Sequence, residues 1–476
     1  MARARIRFLE RDEEDLIHEG CLEILEKIGV RVHSPSVSAM LQAAGAEVDR
    51  HKGVVRIPKG MVDEAIRRAP KGLRLCSRDG RHDLDVPVEE YPFISTDGLS
   101  IYMTDLETGE KRPTTRSDLA MFAKLADALD PVSFFWPQVT ASDVPPAAHA
   151  VHEMWVSLLH TAKHVQGDAV NAGDARTIVR LASLIVGGEE TLRKRPIVSC
   201  TLCPIAPLSF EKGAVEAQVE FAKAGIPVSS MSMSLSGVSS PVTIAGTIAN
   251  ANAENLASLV ITETAAPGAP HIYSSESTPM DPALGKINYF APEVPLIAAG
   301  LAQMARRYGL PSMIGQWGVN GTTPGMPVSF SELYSVAVTT MAGGDMCSGM
   351  GGLEDAKGGS LEQMVIDAAL WEHARALMRR FEVTPETIAT DVLESVGHGN
   401  TFLGHPHTRK HFRKELFFRD RQRLAWEATQ SGRMVPEARA VVKRLLREHE
   451  VPSVDPDIVR QGDELLASFE KRVLAA

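Results

Sequence analysis

Residues 197–231 read IVSCTLCPIAPLSFEKGAVEAQVEFAKAGIPVSSM and contain one complete β–α–β unit. Residues 197–202 form an apolar run typical of a buried strand, residues 211–224 have the spacing of an amphipathic helix, and residues 227–231 form a second short strand. Two strands joined through a helix pair in parallel, because a tight hairpin turn makes its strands antiparallel. The stretch therefore predicts an α/β fold built on a parallel sheet.

The same unit repeats along the chain, and eight strand candidates alternate with eight helical segments. The strand candidates are residues 93–96, 132–136, 164–167, 197–202, 227–231, 271–274, 312–316 and 345–348. The helical candidates are residues 117–129, 147–159, 172–185, 211–224, 241–264, 292–308, 330–342 and 360–380. Eight such pairs predict a (β/α)8 TIM barrel. An open doubly wound sheet is the rival, but residues 93–100 lack the GxGxxG turn that usually follows its first strand.

The sequence on either side of the barrel has a different pattern. Residues 1–90 alternate short helices with short strands and predict an α+β N-terminal addition. Residues 91–380 carry the barrel pattern. Residues 381–476 are mostly helical and rich in charge, and we expect a helical C-terminal extension packed on the barrel.

Charge and composition exclude several classes of function. The 476 residues have a formal net charge of −10 and scattered basic residues, which argues against a nucleic-acid partner. Polar residues interrupt the longest apolar runs, so no membrane span is predicted, and residues 1–10 lack the apolar core of a signal peptide. The five cysteines, an odd number, fit a reducing compartment, and we expect a cytoplasmic location. Cys200 and Cys203 form a CxxC pair without a second ligand pair, so we expect a buried structural role for both.

In a barrel of this kind the active residues collect at the carboxyl ends of the strands. Those positions are Thr96, Asp97, Trp136, Gln138, Gln166, Asp168, Met231, Ser234, Ser275, Glu276, Gln316, Trp317, Cys347, Met350 and Glu354. The set holds aromatics, acids and amides, but no Ser/His/Asp triad order, no HExxH motif and no phosphate loop. The sequence therefore assigns no catalytic residue and no metal site.

Aromatic and acidic residues at the strand ends predict a pocket for an organic cation. Aromatic residues make up only 5% of the chain, yet several lie in or just after strand candidates, among them Phe134, Phe135, Trp136, Tyr273 and Trp317. An aromatic face attracts a quaternary ammonium group, and a nearby carboxylate balances its charge. Packing in the core is the alternative role for each aromatic. The predicted substrate-binding residues are Asp97, Trp136, Gln166, Tyr273, Glu276, Gln316 and Trp317.

A histidine-rich tract follows the barrel. Residues 397–411 read GHGNTFLGHPHTRKH and hold four of the 15 histidines, with His407 and His411 spaced for one face of a helix. A mobile lid over the barrel mouth and a solvated loop are the two interpretations, and its glycines suit the lid.

Several segments in a fixed order resemble the trimethylamine methyltransferase superfamily, over nearly the whole chain. They are residues 16–32 (LIHEGCLEILEKIGVRV), 43–49 (AAGAEVD), 55–58 (VRIP), 104–112 (TDLETGEKR), 118–129, 143–146 (DVPP), 187–195 (GGEETLRKR), 224–228, 241–253, 267–274 (PGAPHIYS), 361–367 (LEQMVID) and the histidine-rich tract. No single segment is specific, whereas the ordered set is.

The resemblance implies a (β/α)8 enzyme that moves a methyl group from a methylamine to the cobalt of a cognate corrinoid protein. The archetype of the family carries pyrrolysine in the barrel. Residues 314–327 here read IGQWGVNGTTPGMP, all ordinary residues, which places the chain with the branch whose members use glycine betaine and related quaternary amines. The implied corrinoid arrives on the partner, so no tightly bound cofactor is expected. His405, His407 and Met350 are predicted to face the corrinoid or to form the lid, and a homo-oligomer is expected.

Two other functions remain open at this point. A metal-assisted barrel lyase or hydrolase would use Asp97, Asp168 and Glu276 with His405, His407 or His411. A non-catalytic betaine-binding barrel would keep the aromatic site without a partner protein.

Overall fold

The computed structural model describes residues 5–88, 91–289, 291–316, 321–325, 330–415 and 432–475. The strands are β1 (Val30–Val32), β2 (Glu47–Asp49), β3 (Val54–Arg56), β4 (Leu73–Leu75), β5 (Leu84–Val86), β6 (Phe93–Thr96), β7 (Tyr102–Thr104), β8 (Lys111–Pro113), β9 (Val165–Gly167), β10 (Val198–Leu202), β11 (Ser209–Phe210), β12 (Val228–Ser232), β13 (Leu235–Ser236), β14 (His271–Ser275), β15 (Thr278–Asp281), β16 (Lys286–Ile287), β17 (Ser312–Gln316), β18 (Met346–Met350), β19 (Gly352–Leu353) and β20 (Gly358–Gly359).

The helices before and within the barrel region are α1 (Arg11–Glu23), α2 (Pro35–Ala43), α3 (Lys59–Arg68), α4 (Arg116–Ala128), α5 (His149–His160), α6 (Ala172–Val186), α7 (Glu189–Lys194), α8 (Lys212–Ala224), α9 (Ile244–Ala265), α10 (Glu293–Tyr308), α11 (Phe330–Ala342) and α12 (Leu361–Met378). The later helices are α13 (Pro385–Ile388), α14 (Thr390–Val396), α15 (Pro406–Glu415), α16 (Met434–Glu448) and α17 (Pro456–Ala475). A π-helical turn (Ile24–Ile28) extends α1, and a 3-10 turn (Pro146–Ala148) leads into α5. In the described ranges, no helix combines the length and the apolar character that a bilayer span requires.

A parallel sheet of seven strands forms the centre of the fold, in the order β6-β18-β17-β14-β12-β10-β9. Each of these strands coincides within about two residues with a strand candidate from the sequence, which is the boundary precision that such assignments allow. The helices between the strands supply the crossovers that parallel pairing needs.

The remaining strand candidate, residues 132–136, connects the two edges of this sheet. It forms isolated parallel bridges, Ser95 with Phe134 and Phe135 with Val165, instead of a continuous strand. The Thr96 hydroxyl fastens the segment to β6 by donating to the Trp136 carbonyl at 2.6 Å. The sheet is therefore curled, as in a TIM barrel, and the α/β prediction is confirmed.

The β4–β5 hairpin covers the amino-terminal end of the curled sheet. Its Leu75, Leu84 and Val86 side chains pack in one buried cluster with interior residues of the sheet. The Cys76 amide donates to the Pro196 carbonyl at 3.0 Å, just before β10 begins. Because the hairpin fills this end, a ligand reaches the interior from the opposite end, where the strands terminate.

The segments that flank the barrel pack directly against it. In the N-terminal part, β1 pairs with β11 from a barrel loop, and helices α1 and α3 share a hydrophobic core with α9. In the C-terminal part, the Trp155 indole on α5 donates to Asp463 on α17 at 2.8 Å, and Gly462 leaves room for the same ring. The boundaries at residues 90 and 380 stay predictions, because the core is continuous across the first of them.

Candidate active site

One cluster of side chains identifies the inner face of the curled sheet. Phe134 and Trp136 from residues 132–136 pack together with Met231, Ile272, Met313 and Met346 from four strands and with the covering hairpin. Residues from strands spread around the sheet can meet only inside it. Alternate residues along each strand point to the same face, so the inner face at the carboxyl ends is fixed by this cluster.

Two acids predicted from the sequence, Asp97 and Glu276, follow directly after strands at the carboxyl end of the interior, close enough for the charge of Asp97 to act on Glu276. Asp97 is 2% exposed and Glu276 is 8% exposed. Ser348 on β18 donates a hydrogen bond to Oε1 of Glu276. Burial raises the pKa of Glu276 to about 8, the Ser348 hydroxyl works against that shift, and the negative charge of Asp97 adds to it. The pocket therefore holds more negative charge than its buried environment favours in the absence of a cation.

Trp136 provides an aromatic wall beside these acids. A Cβ atom on Gly98 would lie 2.4 Å from the Trp136 ring, so glycine is required there for the backbone to lie against the indole. Burial raises the pKa of the nearby Asp168 carboxyl to about 7, and the indole of Trp136 works against that shift. The indole N–H makes no hydrogen bond of good geometry to any described residue. Asp168 was read among the strand ends but was not among the predicted substrate-binding residues.

A histidine–glutamate pair adds a charge behind Asp168. Nδ1 of His149 lies 3.3 Å from both carboxylate oxygens of Glu153 on the same helix. This contact raises the pKa of His149. Glu153 in turn raises the pKa of Asp168, and His149 lowers it by a smaller effect.

Gln166 lies one layer deeper, on the same face as Asp168. It is completely buried, and its Nε2 donates to the Thr201 hydroxyl and to the Met313 sulfur, the latter at 3.2 Å. Its Oε1 has no hydrogen-bond partner among the described residues. A buried acceptor without a partner is costly, which makes this oxygen a candidate ligand contact.

Two further residues at the mouth were not predicted. Tyr289, after the β15–β16 hairpin, is 5% exposed, and burial together with the charges of Glu276 and Asp97 raises the pKa of its hydroxyl well above the usual value. It follows a hairpin inside a strand–helix connection and not a barrel strand, so a search of strand ends misses it. Cys203 is exposed, contrary to the expected buried role, while Cys200 is buried as expected. Cys203 lies close enough to Asp168 and Glu276 for their charges to act on its thiol.

The structure does not bring Tyr273 to the pocket, which corrects its predicted role. Its ring is buried among residues of α1, α9 and α10, and its hydroxyl donates to Asn252 on α9 at 2.9 Å. Ile272 is the inward neighbour on the same strand, and alternation turns Tyr273 outward. Tyr273 is therefore a core residue between sheet and helices.

The structure also contradicts the predicted position of Met350 at the mouth of the barrel. Simple alternation from Met346 and Ser348 would put Met350 inside, but the pairing with β6 shifts register between Cys347 and Met350. Gly349 in this irregularity has a φ of 117°. Met350 consequently packs outward in the cluster with α4 and α12 and does not face the mouth.

The other predicted residues divide into three groups. Gln316 ends β17 beside Ser348, so its backbone is at the mouth. Trp317 lies outside the described residues. His405 and His407 lie in the segment from α13 to α15, where His407 stacks on His411 with ring centroids 4.4 Å apart. Within the described part of the chain, no group of three or more His, Cys, Asp and Glu side chains is arranged to hold a metal ion.

The curled parallel sheet defines a TIM-barrel-like protein, and buried acids with an aromatic wall at its carboxyl ends form a candidate site for a small organic cation. Comparison with known proteins assigns the class: the family described as "Trimethylamine methyltransferase (MTTB)" matches residues 2–473. The chain belongs to this family and is a methyltransferase that acts on a methylated amine.

Named relatives span most of the chain. It is 33% identical over 399 residues to trimethylamine methyltransferase MttB of Desulfitobacterium hafniense (strain DSM 10664 / DCB-2), covering 84% of this chain and 80% of that protein. It is 26% identical to the glycine betaine methyltransferase of Desulfitobacterium hafniense (strain Y51), covering 98% of each. The crystal structure of the Methanosarcina barkeri monomethylamine methyltransferase MtmB superposes with a TM-score of 0.54 at 13% identity, over 93% of this chain and 88% of that one. The structural likeness supports the fold alone.

Proposed function

We propose that this methyltransferase moves a methyl group from a quaternary amine, glycine betaine or a related compound, to the Co(I) of a cognate corrinoid protein. The observation that carries the proposal is the arrangement of Asp97, Glu276 and Trp136 at the open end of the barrel-like sheet. Two buried carboxyl groups beside an indole face suit a permanently charged ammonium group, which needs charge compensation and cation–π contact. Residues 314–327 contain no pyrrolysine, which favours a quaternary amine over trimethylamine.

The chemistry needs no proton donor. Co(I) attacks one N-methyl carbon and supplies both electrons of the new cobalt–carbon bond, while the electrons of the broken carbon–nitrogen bond stay on nitrogen. The products are methyl-Co(III) and a neutral tertiary amine. Because the leaving group is neutral, no general acid is required.

The acids bind and orient the substrate and do not accelerate the transfer themselves. As the methyl group leaves, the nitrogen loses its positive charge, so carboxylates stabilise the ground state more than the transition state. Their contribution is to hold one methyl group in line with the incoming cobalt. Such positioning lowers the entropic part of the activation barrier, because the amine is already oriented when the corrinoid protein arrives.

The corrinoid is a second substrate carried by another protein. The end of the sheet opposite the β4–β5 hairpin is the direction from which it approaches. His405 and His407 are proposed to contact that protein or to cover the mouth. Assembly into a homo-oligomer is part of the same proposal.

A methyl-transfer assay tests the proposal. The protein is mixed with a corrinoid protein reduced to Co(I) and a panel of quaternary amines that includes glycine betaine, with trimethylamine for comparison. We expect the absorbance of Co(I) to give way to that of methyl-Co(III), with one tertiary amine formed per methyl group transferred. The proposal is contradicted if trimethylamine is the only amine that methylates cobalt, or if no amine in the panel does so. A metal-assisted hydrolysis would instead consume the amine without methylating cobalt.

A further inference from the structure

A groove lined with basic side chains lies between α2 and the sheet β11-β1-β3-β2 of the N-terminal part. Its volume is about 700 Å³. The basic residues that line it are Arg31, His33, Arg50, His51 and Lys52, and all five are exposed. Among the described residues that line this basic groove, none is acidic. In a chain of net charge −10, such a local concentration of positive charge favours contact with an anionic group.

One acid lies close to these basic residues. Asp49 closes the turn between β2 and β3 by accepting hydrogen bonds from the backbone amides of His51 at 3.1 Å and Lys52 at 3.2 Å, and the charges of both residues act on it. The Arg50 guanidinium donates to the neutral side-chain amide of a glutamine on α2 at 2.9 Å. Neither Arg31 nor Arg50 forms an ion pair with a described residue.

Two further acids on neighbouring elements have partners of their own. Glu47 on β2 pairs with Arg56 on β3 at 2.8 Å, and Glu216 on α8 accepts a hydrogen bond from the Ser34 hydroxyl at 2.8 Å. Neither glutamate lines the basic groove. The groove therefore keeps an excess of positive charge, with two arginines, a lysine and two histidines near a single aspartate.

The basic groove lies at the rim of the barrel mouth. The chain leaves the carboxyl end of β10 and reaches α8 through β11, so β11 belongs to the mouth end of the central sheet. β1 pairs with β11 in parallel, and the His33 amide donates to the Phe210 carbonyl at 3.0 Å. The turn at residues 50–53 adjoins the same end of β1, because the Val32 amide donates to the Gly53 carbonyl at 2.9 Å. The basic residues therefore lie beside the end of the barrel from which the corrinoid approaches.

We infer that the basic groove docks an acidic segment of the corrinoid protein and so aligns that protein over the mouth. This inference rests on the proposed function and names the surface that recognises the second substrate. The corrinoid is carried by a whole protein, so its contact covers the rim as well as the pocket. Opposite charges at the rim of an interface speed the encounter and fix the orientation of the partner.

The form of the basic groove favours a protein segment over a small anion. Sites for small molecules enclose most of the ligand and hold it with a few fixed polar groups. Here all five basic side chains are exposed, so carboxylates on the surface of a partner protein can reach them. A small phosphate-bearing ligand would use the same charges, and the experiment below includes it as a separate outcome.

A charge-neutralising variant tests the docking. Arg31→Gln, Arg50→Gln and Lys52→Gln are combined in one protein. In the methyl-transfer assay with the corrinoid protein as acceptor, we expect KM for that protein to rise at least about fivefold, with kcat unchanged. The difference from the unchanged protein should shrink as salt is added, because salt screens exposed charges.

Two controls separate docking from damage to the active site. Free cob(I)alamin presents no protein surface, so the triple variant and the unchanged protein should methylate it at the same rate. A second triple variant, Arg180→Gln, Lys194→Gln and Lys471→Gln, changes the net charge by the same amount through exposed residues on α6, α7 and α17. These residues do not line the basic groove, so KM for the corrinoid protein should stay the same.

Direct binding distinguishes failure of this inference from failure of the proposed function. The corrinoid protein in its Co(II) state is titrated into the methyltransferase, which measures docking without methyl transfer. Weaker binding by the first triple variant, with unchanged binding by the control variant, supports the docking even if no amine methylates cobalt and the proposed function falls. Equal binding by the first triple variant and the unchanged protein overturns the docking and leaves the proposed function standing.

Two further results would also overturn the docking. One is that the unchanged protein does not bind the corrinoid protein at all. The other is that inorganic phosphate binds the unchanged protein and not the first triple variant, while the corrinoid protein binds both equally. The basic groove would then be a site for a small anion.

Discussion

The Ser348 hydroxyl on β18 donates a hydrogen bond to the Glu276 carboxylate that follows β14, so two non-adjacent strands of the sheet meet at the pocket. This bond lowers the pKa of Glu276 against the larger effect of burial. It fixes one carboxylate oxygen, and the charge of Asp97 also acts on this carboxyl group. Several tests of the site therefore measure how ligand affinity depends on the protonation of this glutamate.

Cation affinity is predicted to rise with pH between about 6 and 9. Burial raises the pKa of Glu276 to about 8 and that of Asp168 to about 7. A cation binds the ionised acids, so binding below these values requires proton release and is weaker. Because a quaternary ammonium carries no titratable proton, the pH dependence reports the protein alone. Calorimetric titration of choline, a quaternary amine with a neutral hydroxyl group, at intervals of one pH unit is the measurement.

Several neighbouring groups bear on this pH profile. Glu276 is faced by Asp97, Ser348, Tyr289, Cys203 and Cys347. Asp168 is faced by Glu153, His149, Trp136, Cys200 and Cys203. Deprotonation of His149 removes a positive charge and acts in the same direction as ionisation of the acids. An affinity that is constant or decreases over this range contradicts the acidic pocket.

Removing the hydroxyl of Ser348 is predicted to move the pH profile upward. In Ser348→Ala, Glu276 loses a donor that stabilises its ionised form, so its pKa rises further. We expect the same maximal affinity for choline, reached at higher pH. Ser232→Ala is the matched control, since Ser232 donates to Glu254 outside the pocket. A profile identical to that of the unchanged protein would show that Glu276 does not contact the ligand.

Replacement of Trp136 is predicted to weaken binding through loss of cation–π contact. Trp136→Ala should cost about 1–2 kcal/mol in choline affinity, roughly 5- to 30-fold, and Trp136→Phe less. The neutral analogue 3,3-dimethylbutanol has the shape of choline without its charge, and it should lose less affinity than choline does. Equal losses for both ligands would mean that the indole acts only by packing.

Tyr273 is predicted to matter for stability and not for substrate binding. Tyr273→Phe removes the hydrogen bond to Asn252 and leaves a buried amide oxygen without that donor, at a cost of about 1–3 kcal/mol in the free energy of unfolding. Choline affinity should be unchanged. Denaturant unfolding and ligand titration on the same preparation measure the two quantities. Weaker binding with unchanged stability would show that Tyr273 contributes to the ligand pocket and not to the core.

The alternation of strands and helices was sufficient to predict the α/β architecture and the position of every strand in the central sheet. It was not sufficient to predict which side chains of each strand point into the interior. Both faces of a strand in such a sheet are buried, so apolar periodicity does not tell inward from outward, and Tyr273 was placed on the wrong side. For Met350 the error had another cause. The irregularity at Gly349 reverses the alternation of inward and outward side chains, and the sequence does not indicate where such an irregularity occurs.

The candidate site was predictable in part. Asp97, Trp136, Gln166 and Glu276 lie at strand ends on the inner face, as the sequence indicates, and their contact with substrate stays a prediction. Tyr289 was missed because it arrives from a hairpin inside a connection, where the sequence gives no register. Asp168 was read as a strand-end acid, but its raised pKa depends on burial and on Glu153, and both arise only in the folded chain.

The most direct test of the central claim is a crystal structure of the protein with choline bound. The account predicts the nitrogen within about 6 Å of the Trp136 ring centroid, between the carboxyl groups of Asp97 and Glu276, with one methyl group directed at the open end of the sheet. Choline bound elsewhere, or bound with every methyl group turned into the interior, would contradict it.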